Sequence, residues 1–366
     1  MDIEDSHFVR AYRDKINAAI IRKEIKKNEI DTSHAVDFYI KVVKDIPQSF
    51  QRAHSRVVRE VSRRVWGRRR QSESVKRRIL KRYWHPLVEF DNSLAAAEFV
   101  NRSLVWAWRD WREEAPERER DVNLLGIDDL IGGKELKALL LAAMHAKVIT
   151  LCSEISLLLR VGFSSGAASR LRTLYELTIK MNLIADDPSG NGYQLAERYF
   201  VSAQVEVWGR NFMVDSVRSE EKELIQAAQA AWGDDFFASE NNWAKPVIHS
   251  PGKTVTFRQI EEAAGAEELR YMYIECNHAV HAGALRIIEG TDFRCSHLNN
   301  MRAKANLREI GRIGQFASFC LEVATMETLR KVTSDLRQWD YALNASVFSQ
   351  SIESANSLFR EGCGEA

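Results

Sequence analysis

The sequence has few residues that break a helix. Its 366 residues include only six prolines and eighteen glycines, and segments that alternate apolar and polar residues are nearly absent. Residues 253–257 are the best strand candidate, and they are short enough to be a loop. The stretches between prolines are rich in Ala, Leu, Glu, Arg and Lys, which favour helices. The sequence therefore predicts an all-α protein, a multi-helix bundle with an Arg-rich N-terminal helical segment.

Cysteine is scarce as well, and its placement excludes two classes of protein. The five cysteines are odd in number, widely spaced and without a Cys-x-x-Cys pair, which argues against a disulfide framework and a thiolate zinc site. Glu275 and His278 have the spacing of half a di-iron site, but possible ligands there spread around the helix. We therefore predict buried reduced thiols, no metal and no cofactor.

Helix boundaries divide the chain into three parts. We predict that residues 1–90 form a basic N-terminal helical segment, residues 91–335 a central helical bundle, and residues 336–366 a C-terminal helix and tail. Pro47, Pro86 and the Asp-Asp-Pro-Ser-Gly stretch at 186–190 mark junctions. The predicted helices lie near 6–28, 33–45, 48–67, 73–84, 92–113, 134–160, 165–186, 191–216, 219–232, 266–288, 296–333 and 346–359.

Net charge is only +1, but the charge is unevenly distributed. Between Arg52 and Arg82 there are thirteen Arg or Lys residues against two acids, so this segment carries about +11 and the remainder about −10. Such asymmetry indicates an anionic partner, or an acidic surface of the same chain on which the basic segment docks.

The basic segment has the features of a nucleic-acid interface. Its cations recur at three- and four-residue steps, and Trp66, Tyr83 and Trp84 are interleaved with them. The planar fork of Arg suits phosphate, and aromatic rings can stack on unpaired bases. The predicted nucleic-acid-binding residues are Arg56, Arg59, Arg63, Arg64, Arg68, Arg69, Arg70, Arg77 and Arg78.

A structural reading of the same segment is also open. Val57, Val58, Val61 and Val65 form an apolar stripe with Trp66, as they would in an amphipathic helix with a solvated Arg face. The acidic remainder of the chain could also hold the cations in ion pairs. In that case the segment would serve structure or an interface.

Two later helices carry the candidate catalytic residues. Arg172 and Glu176 are one turn apart at the edge of a buried stripe, so we expect a partner for them on the neighbouring helix, or alternatively an intrahelical ion pair that orders the helix. Asn277 and His281 are also one turn apart and can address the same ligand. Histidine is the side chain best suited to proton transfer near neutral pH.

These stretches resemble an uncharacterised bacterial family of helical proteins. Its members carry an Arg-x-Leu-x-Glu helix and, later, a Val-His-small motif, which correspond here to residues 172–176 and 280–282. The resemblance covers roughly residues 135–335. It implies a helical bundle in which Arg172, Glu176 and His281 meet, and it implies no established activity.

The chain also resembles, more weakly, the helical HEPN ribonucleases, which cleave RNA without metal and usually as dimers. Those enzymes place an Arg, often followed by Asn, four to six residues before a His. Asn277 and His281 match the later part of this pattern, but Cys276 stands where the Arg is expected and Arg270 is too far upstream. The resemblance implies a site at His281, to which Arg172 would supply the cation. A buried structural histidine is the alternative.

We expect a cytoplasmic protein that binds nucleic acid, RNA in preference to DNA, with no membrane contact. A homodimer is compatible with the small residues at 282–283. A HEPN-like, metal-independent ribonuclease effector in stress or phage defence is one form of this function. The alternatives are a non-catalytic interaction or scaffold protein whose basic helices dock a partner protein, and a small-ligand sensor with a pocket between the two central helices.

The N-terminus and the most apolar stretch bear on the membrane prediction. The chain starts with an acidic segment and no apolar core of a signal peptide. The most apolar stretch, 138–159, is interrupted by His145, Lys147 and Glu154, which predicts a buried core helix.

Overall fold

A computed structural model describes residues 48–114, 132–210, 219–249, 252–280, 307–338, 340–341 and 344–363. Within these ranges every regular element is a helix, which confirms the all-α prediction. Residues 253–257 form no strand there, and Thr256 instead caps a helix. The α-helices are α1 (Gln48–Glu114), α2 (Gly133–Val161), α3 (Ser164–Ala185), α4 (Gln194–Arg210), α5 (Ser219–Trp232), α6 (Phe257–Ala263), α7 (Arg270–Val280), α8 (Leu307–Asp335) and α9 (Asn344–Cys363).

Helix α1 replaces three predicted helices. The sequence predicts a break around Pro86, but the chain stays helical through it and has a non-helical backbone only at Tyr83, with φ −120° and ψ 15°. Pro86 has no N–H to donate to the carbonyl of Arg82, and its ring clashes with that carbonyl. The proline therefore kinks the helix and does not end it.

The chain divides into two compact units, Met1–Glu73 and Ser74–Ala366. The sequence places this boundary later, near residue 90. The difference arises because Ile79, Tyr83, Leu87 and Phe90 of α1 belong to the hydrophobic core of the second unit. Helix α9 packs on α8 in that unit, so residues 336–366 do not stand apart from it.

The core of the second unit is built around α2, α3 and α8, which pack on one another. His145 of α2 connects three helices there. Its Nδ1 lies 3.1 Å from Oδ1 of Asn101 on α1, and its Nε2 lies 2.9 Å from Oγ1 of Thr325 on α8. Complete burial lowers the pKa of His145 to about 4, so the ring is neutral at physiological pH. Cys152 and Cys320 are buried in the same core as thiols, as predicted.

Helix α2 is the one described helix that is long and apolar enough to cross a membrane. Its most apolar window has a mean hydropathy of 1.5, and 56% of that window is buried inside the protein. The buried face contacts α3, α4 and α8, which is the arrangement of a bundle core helix. Such a helix passes the same test of length and composition, so the finding is weak evidence for a membrane span.

A buried arginine fastens α4 to the segment after α5. Nε of Arg198 donates to the carbonyl of Trp243 at 2.9 Å, and Nη2 donates to that of Asn242 at 3.1 Å. The guanidinium also lies 4.8 Å from the ring centroid of Trp232 and 4.9 Å from that of Phe236. Burial lowers the pKa of Arg198 to about 10, which leaves it protonated at neutral pH. The segment that it holds contains two 3-10 helices, Asp234–Ala238 and Asn242–Val247.

Candidate functional site

The described arginines of the first unit are exposed on α1. Arg56, Arg59 and Arg63 are all solvent-facing. Nε of Arg59 donates to the carbonyl of Ser55 at 3.2 Å, and Nη1 of Arg63 lies 3.2 Å from Oε2 of Glu60. The Arg63 side chain is 81% exposed, and a surface pair of this kind contributes little to stability. These cations can therefore exchange their present contacts for phosphate.

The apolar stripe beside these arginines is exposed as well. Val57, Val58 and Val61 retain 60%, 49% and 55% of their accessible surface, and Trp66 retains 64%. The structural reading of this segment requires the valine stripe to cover a core. The described residues do not bury Val57, Val58 and Val61 in a core.

The second unit contributes another group of exposed cations. Arg77, Arg78 and Lys81 are solvent-facing and form no ion pair with any residue that the structure describes. Arg82 is different, because its Nε donates to the carbonyl of Gly362 in α9 at 2.9 Å. The alternative in which acidic residues of the chain hold these cations finds no support among the described side chains.

The prediction that three aromatic side chains are available for stacking is wrong for Tyr83. Its side chain is fully buried, and its hydroxyl donates to the carbonyl of Gly362 at 3.1 Å. Tyr83 faces the core together with Ile79 and Leu87, which lie one turn before and one turn after it on α1 and are also fully buried. Trp84, the next residue, is 51% exposed, so its predicted role in stacking stays a prediction.

Several predicted site residues lie outside the described part of the chain. They are the side chains of Arg64, Arg68, Arg69 and Arg70, and the whole of His281. The roles predicted for them stay predictions.

Arg172 and Glu176 lie together on α3, at its contact with α7. Nε of Arg172 donates to Oε1 of Glu176 at 3.0 Å, and Nη2 donates to the hydroxyl of Tyr273 on α7 at 3.1 Å. The intrahelical pair and the inter-helix partner, which the sequence left as alternatives, are therefore both present. Burial alone would lower the pKa of Arg172, but its contacts with Glu176 and Tyr273 outweigh burial and raise the pKa.

A second polar group at the same helix contact was not predicted. Glu261 of α6 is buried, with 1% of its side chain exposed, and it accepts a hydrogen bond from the hydroxyl of Tyr175 at 3.0 Å. Arg270, at the start of α7, donates to its other carboxylate oxygen. Burial, followed by the charge of Glu261, raises the pKa of Tyr175. The sequence shows the helical periodicity of α3 and of α7. It does not show that Glu261 of α6 contacts both helices.

Aromatic rings fill the space between these two polar groups. The ring centroids of Tyr175 and Tyr273 are 6.0 Å apart, and the ring of Phe257 lies 5.3 Å from that of Tyr273. The described part of the α3–α7 contact is thus a packed interface with charged edges. The small-ligand alternative, which needs a pocket between these helices, stays a prediction.

Asn277 lies one turn after Tyr273 on α7. Its carbonyl oxygen Oδ1 is buried and has no hydrogen-bond partner among the described residues. A buried polar atom without a partner is costly and calls for an explanation. His281 is the next residue in the sequence at the same four-residue spacing.

Glu275, which has the spacing of half a di-iron site with His278, pairs with an arginine. Glu275 lies 3.2 Å from Arg312 of α8 through its Oε2. In the described ranges no three His, Cys, Asp or Glu side chains come together as metal ligands would.

Residues 162–166 read Gly-Phe-Ser-Ser-Gly and fit the Gly-x-Ser-x-Gly spacing of hydrolases. In those enzymes the serine is exposed on a sharp turn from a strand to a helix. Here Ser164 is buried and follows a turn between two helices, α2 and α3. The context required for a nucleophile elbow is therefore missing.

Comparison with known proteins gives one match. Residues 138–292 are similar to the Family of unknown function (DUF5677). The matched stretch covers less than half of the chain, and it includes Arg172, Glu176, Asn277 and His281. No curated protein and no solved structure matches the chain. The family description names no activity, so the function has to be argued from the residues.

Proposed function

We propose that this protein binds nucleic acid, RNA in preference to DNA, through the arginines of α1. The observation that carries the proposal is the exposure of Arg56, Arg59 and Arg63 in the first unit and of Arg77 and Arg78 in the second. Among these five, only Arg63 pairs with a described carboxylate. Solvated guanidinium groups in each unit favour a phosphate backbone, because phosphate accepts bidentate hydrogen bonds from Arg and its binding releases counterions.

The opposite charge of the remaining chain limits where RNA could bind. With an overall net charge of +1, the protein as a whole does not attract polyanions. Binding to RNA would then depend on the local surface of α1, and it would be sensitive to the removal of a few charges there.

Charge-neutralising variants test the proposal. Arg56→Gln/Arg59→Gln/Arg63→Gln removes three charges from the predicted interface. The matched control, Arg170→Gln/Arg258→Gln/Arg360→Gln, removes three charges from exposed arginines that lie outside α1. In fluorescence anisotropy with a labelled single-stranded RNA, we expect the interface variant to lose at least about tenfold in affinity and the control to change little. Equal losses in both variants would contradict the proposal.

A metal-independent ribonuclease is the second candidate, and the unsatisfied oxygen of Asn277 favours it. This atom lies one turn beyond the Arg172–Tyr273 contact on α7, and His281 follows at the same spacing in the sequence. In this proposal His281 transfers the proton and Arg172 stabilises the negative charge that develops on the phosphate. Glu176 then orients the guanidinium of Arg172.

Cleavage of labelled single-stranded RNA in EDTA tests this second proposal. Wild type and His281→Ala are compared, with Arg172→Lys as a third protein. Cleavage by wild type alone supports the assignment. Binding without cleavage by any of the three contradicts it and favours the non-catalytic interaction protein.

A further inference from the structure

The outer face of α1 in the second unit, between residues 91 and 109, exposes large apolar side chains. Phe99, Val105 and Trp106 keep 44%, 41% and 37% of their accessible surface, and the ring centroids of Phe99 and Trp106 are 6.2 Å apart in an edge-on contact. Ala97 and Leu104 on the other side of the helix are buried in the core, which holds the outer face towards solvent. Contiguous exposed apolar side chains of this kind mark interaction surfaces.

Two charged side chains lie on the same outer face without an ion-pair partner among the residues that the structure describes. Glu98 and Arg102 are both exposed, and neither pairs with the other or with another described side chain. Their four-residue spacing would allow an intrahelical pair, so the separation of their charged groups is a property of this surface. Both charges can therefore be given to a partner without breaking a contact in that part of the chain.

A groove of about 320 Å³ lies beside the outer face, between α1 and α2. Leu94, Ala95 and Leu157 give the groove an apolar lining, and Glu98 also lines it. Leu157 is 64% exposed, so the apolar surface continues from α1 onto α2. The groove is a concave apolar site next to a face that carries exposed aromatic rings.

We infer that the outer face of α1 binds a second copy of this chain, with the two α1 helices antiparallel. In an antiparallel pair with its two-fold axis at the level of residue 100, Glu98 of each copy faces Arg102 of the other. The same axis sets Trp106 of the second copy opposite Leu94, so that its indole enters the groove. Each of these contacts occurs twice, as in every interface with two-fold symmetry.

The order of charges along the outer face favours a second copy as the occupant. From residue 91 to residue 109 the charged residues of α1 are Asp91 and Glu98, followed by Arg102 and Arg109. An antiparallel copy places each acid opposite a cation, because Asp91 then faces Arg109 as Glu98 faces Arg102. A parallel copy would place like charges together, and a partner with charge of one sign would match only half of the face.

Charge reversal and charge exchange test the antiparallel contact, with sedimentation equilibrium in the absence of nucleic acid as the measurement. We expect wild type to form a dimer of twice the chain mass of 41.9 kDa. Glu98→Arg should weaken the dimer by about a hundredfold or more, because two like-charged pairs replace two opposite ones. Glu98→Arg/Arg102→Glu restores opposite charges and should recover affinity to within about tenfold of wild type. Glu268→Arg, an exposed glutamate in the 3-10 helix Glu267–Leu269, is the control and should dimerise like wild type.

Removal of the indole tests the apolar part of the same interface. Trp106→Ala should weaken the dimer by about a hundredfold, since a tryptophan that fills a groove dominates the binding energy of an interface. The control is Tyr271→Ala, which removes a 52% exposed aromatic ring from α7 and should leave the dimer unchanged. Thermal unfolding followed by circular dichroism checks that the single and double variants keep the wild-type fold.

Three outcomes would overturn the inference. The first is a wild-type protein that stays monomeric at about 100 μM. The second is a dimer that Glu98→Arg and Trp106→Ala leave intact, which would place the interface elsewhere. The third is a dimer that both Glu98→Arg and Arg102→Glu weaken but that the double exchange does not restore, which would exclude the antiparallel register. RNA binding is measured separately, so the proposed function stands or falls independently of these results.

Discussion

Replacing Gly314 by Ala tests the close approach of α8 and α9. In an exposed helix this change stabilises by about 1 kcal/mol, because Ala is the better helix former. Here an added Cβ would lie 2.4 Å from Cε1 of Phe359, a separation that carbon atoms do not tolerate. Phe359 is fully buried and packs edge-on against Phe90, so its ring has little room to move. Overpacking of this kind costs about 1–3 kcal/mol, and since this clash is severe we expect a net loss of about 2 kcal/mol.

The matched control is Gly166→Ala in α3. Its Cβ would meet Cδ2 of Leu158 at 3.6 Å, which is an ordinary contact, so this variant should gain about 0.5–1 kcal/mol. Urea unfolding of both variants and wild type measures the difference. Phe359→Leu should relieve part of the clash, so the double variant with Gly314→Ala should be less destabilised than the sum of the single changes. A Gly314→Ala variant as stable as wild type would refute the reasoning.

Two further predictions concern buried polar groups. The pKa of His145 falls from 6.5 to about 4 on folding. The free energy of unfolding should therefore be independent of this group above about pH 6.5, and it should decline by up to about 3 kcal/mol as the pH falls to about 4. His145→Gln should remove this part of the pH dependence, which urea unfolding measures. Glu261→Ala should cost about 3 kcal/mol in thermal unfolding because it leaves the hydroxyl of Tyr175 and the charge of Arg270 without their partner. Glu261→Gln should cost less, since its amide oxygen still accepts from Tyr175, and an equal cost for both variants would contradict this explanation.

Local signals in the sequence predicted several helices well. The predicted bounds of α2 and α3 differ from the observed ones by one residue at each end, and those of α5 agree. Gly162, with φ 85°, separates α2 from α3, and the breaker after Asp186 ends the next helix. Such signals act within a few residues, so they can be read without knowledge of the tertiary structure.

Helix α1 shows where local signals are insufficient. Pro86 removes one hydrogen bond and introduces a clash, which in an isolated helix favours a break. Leu87 and Phe90 after the proline and Ile79 before it are all fully buried in one core. Their packing outweighs the local cost, and the number of helices in this region therefore depends on contacts that the sequence pattern does not reveal.

Only part of the candidate site could be predicted, for the same reason. The spacing of Arg172 and Glu176 predicts their contact, because it lies within one helix. Their partner Tyr273 and the buried Glu261 are distant in sequence, and nothing in the periodicity of α3 identifies them. Likewise, the apolar stripe of α1 predicts which residues share a face, but whether that face is covered depends on the rest of the fold.

The salt dependence of RNA binding tests the central claim most directly. Each phosphate contact with a single strand contributes about −0.7 to the slope of log affinity against log salt, so contacts from five exposed arginines give about −3.5. We expect a slope of this size for wild type, and one shallower by about 1.4 for Arg77→Gln/Arg78→Gln. A slope near zero, or the same slope for both proteins, would contradict the assignment of α1 as the RNA-binding surface.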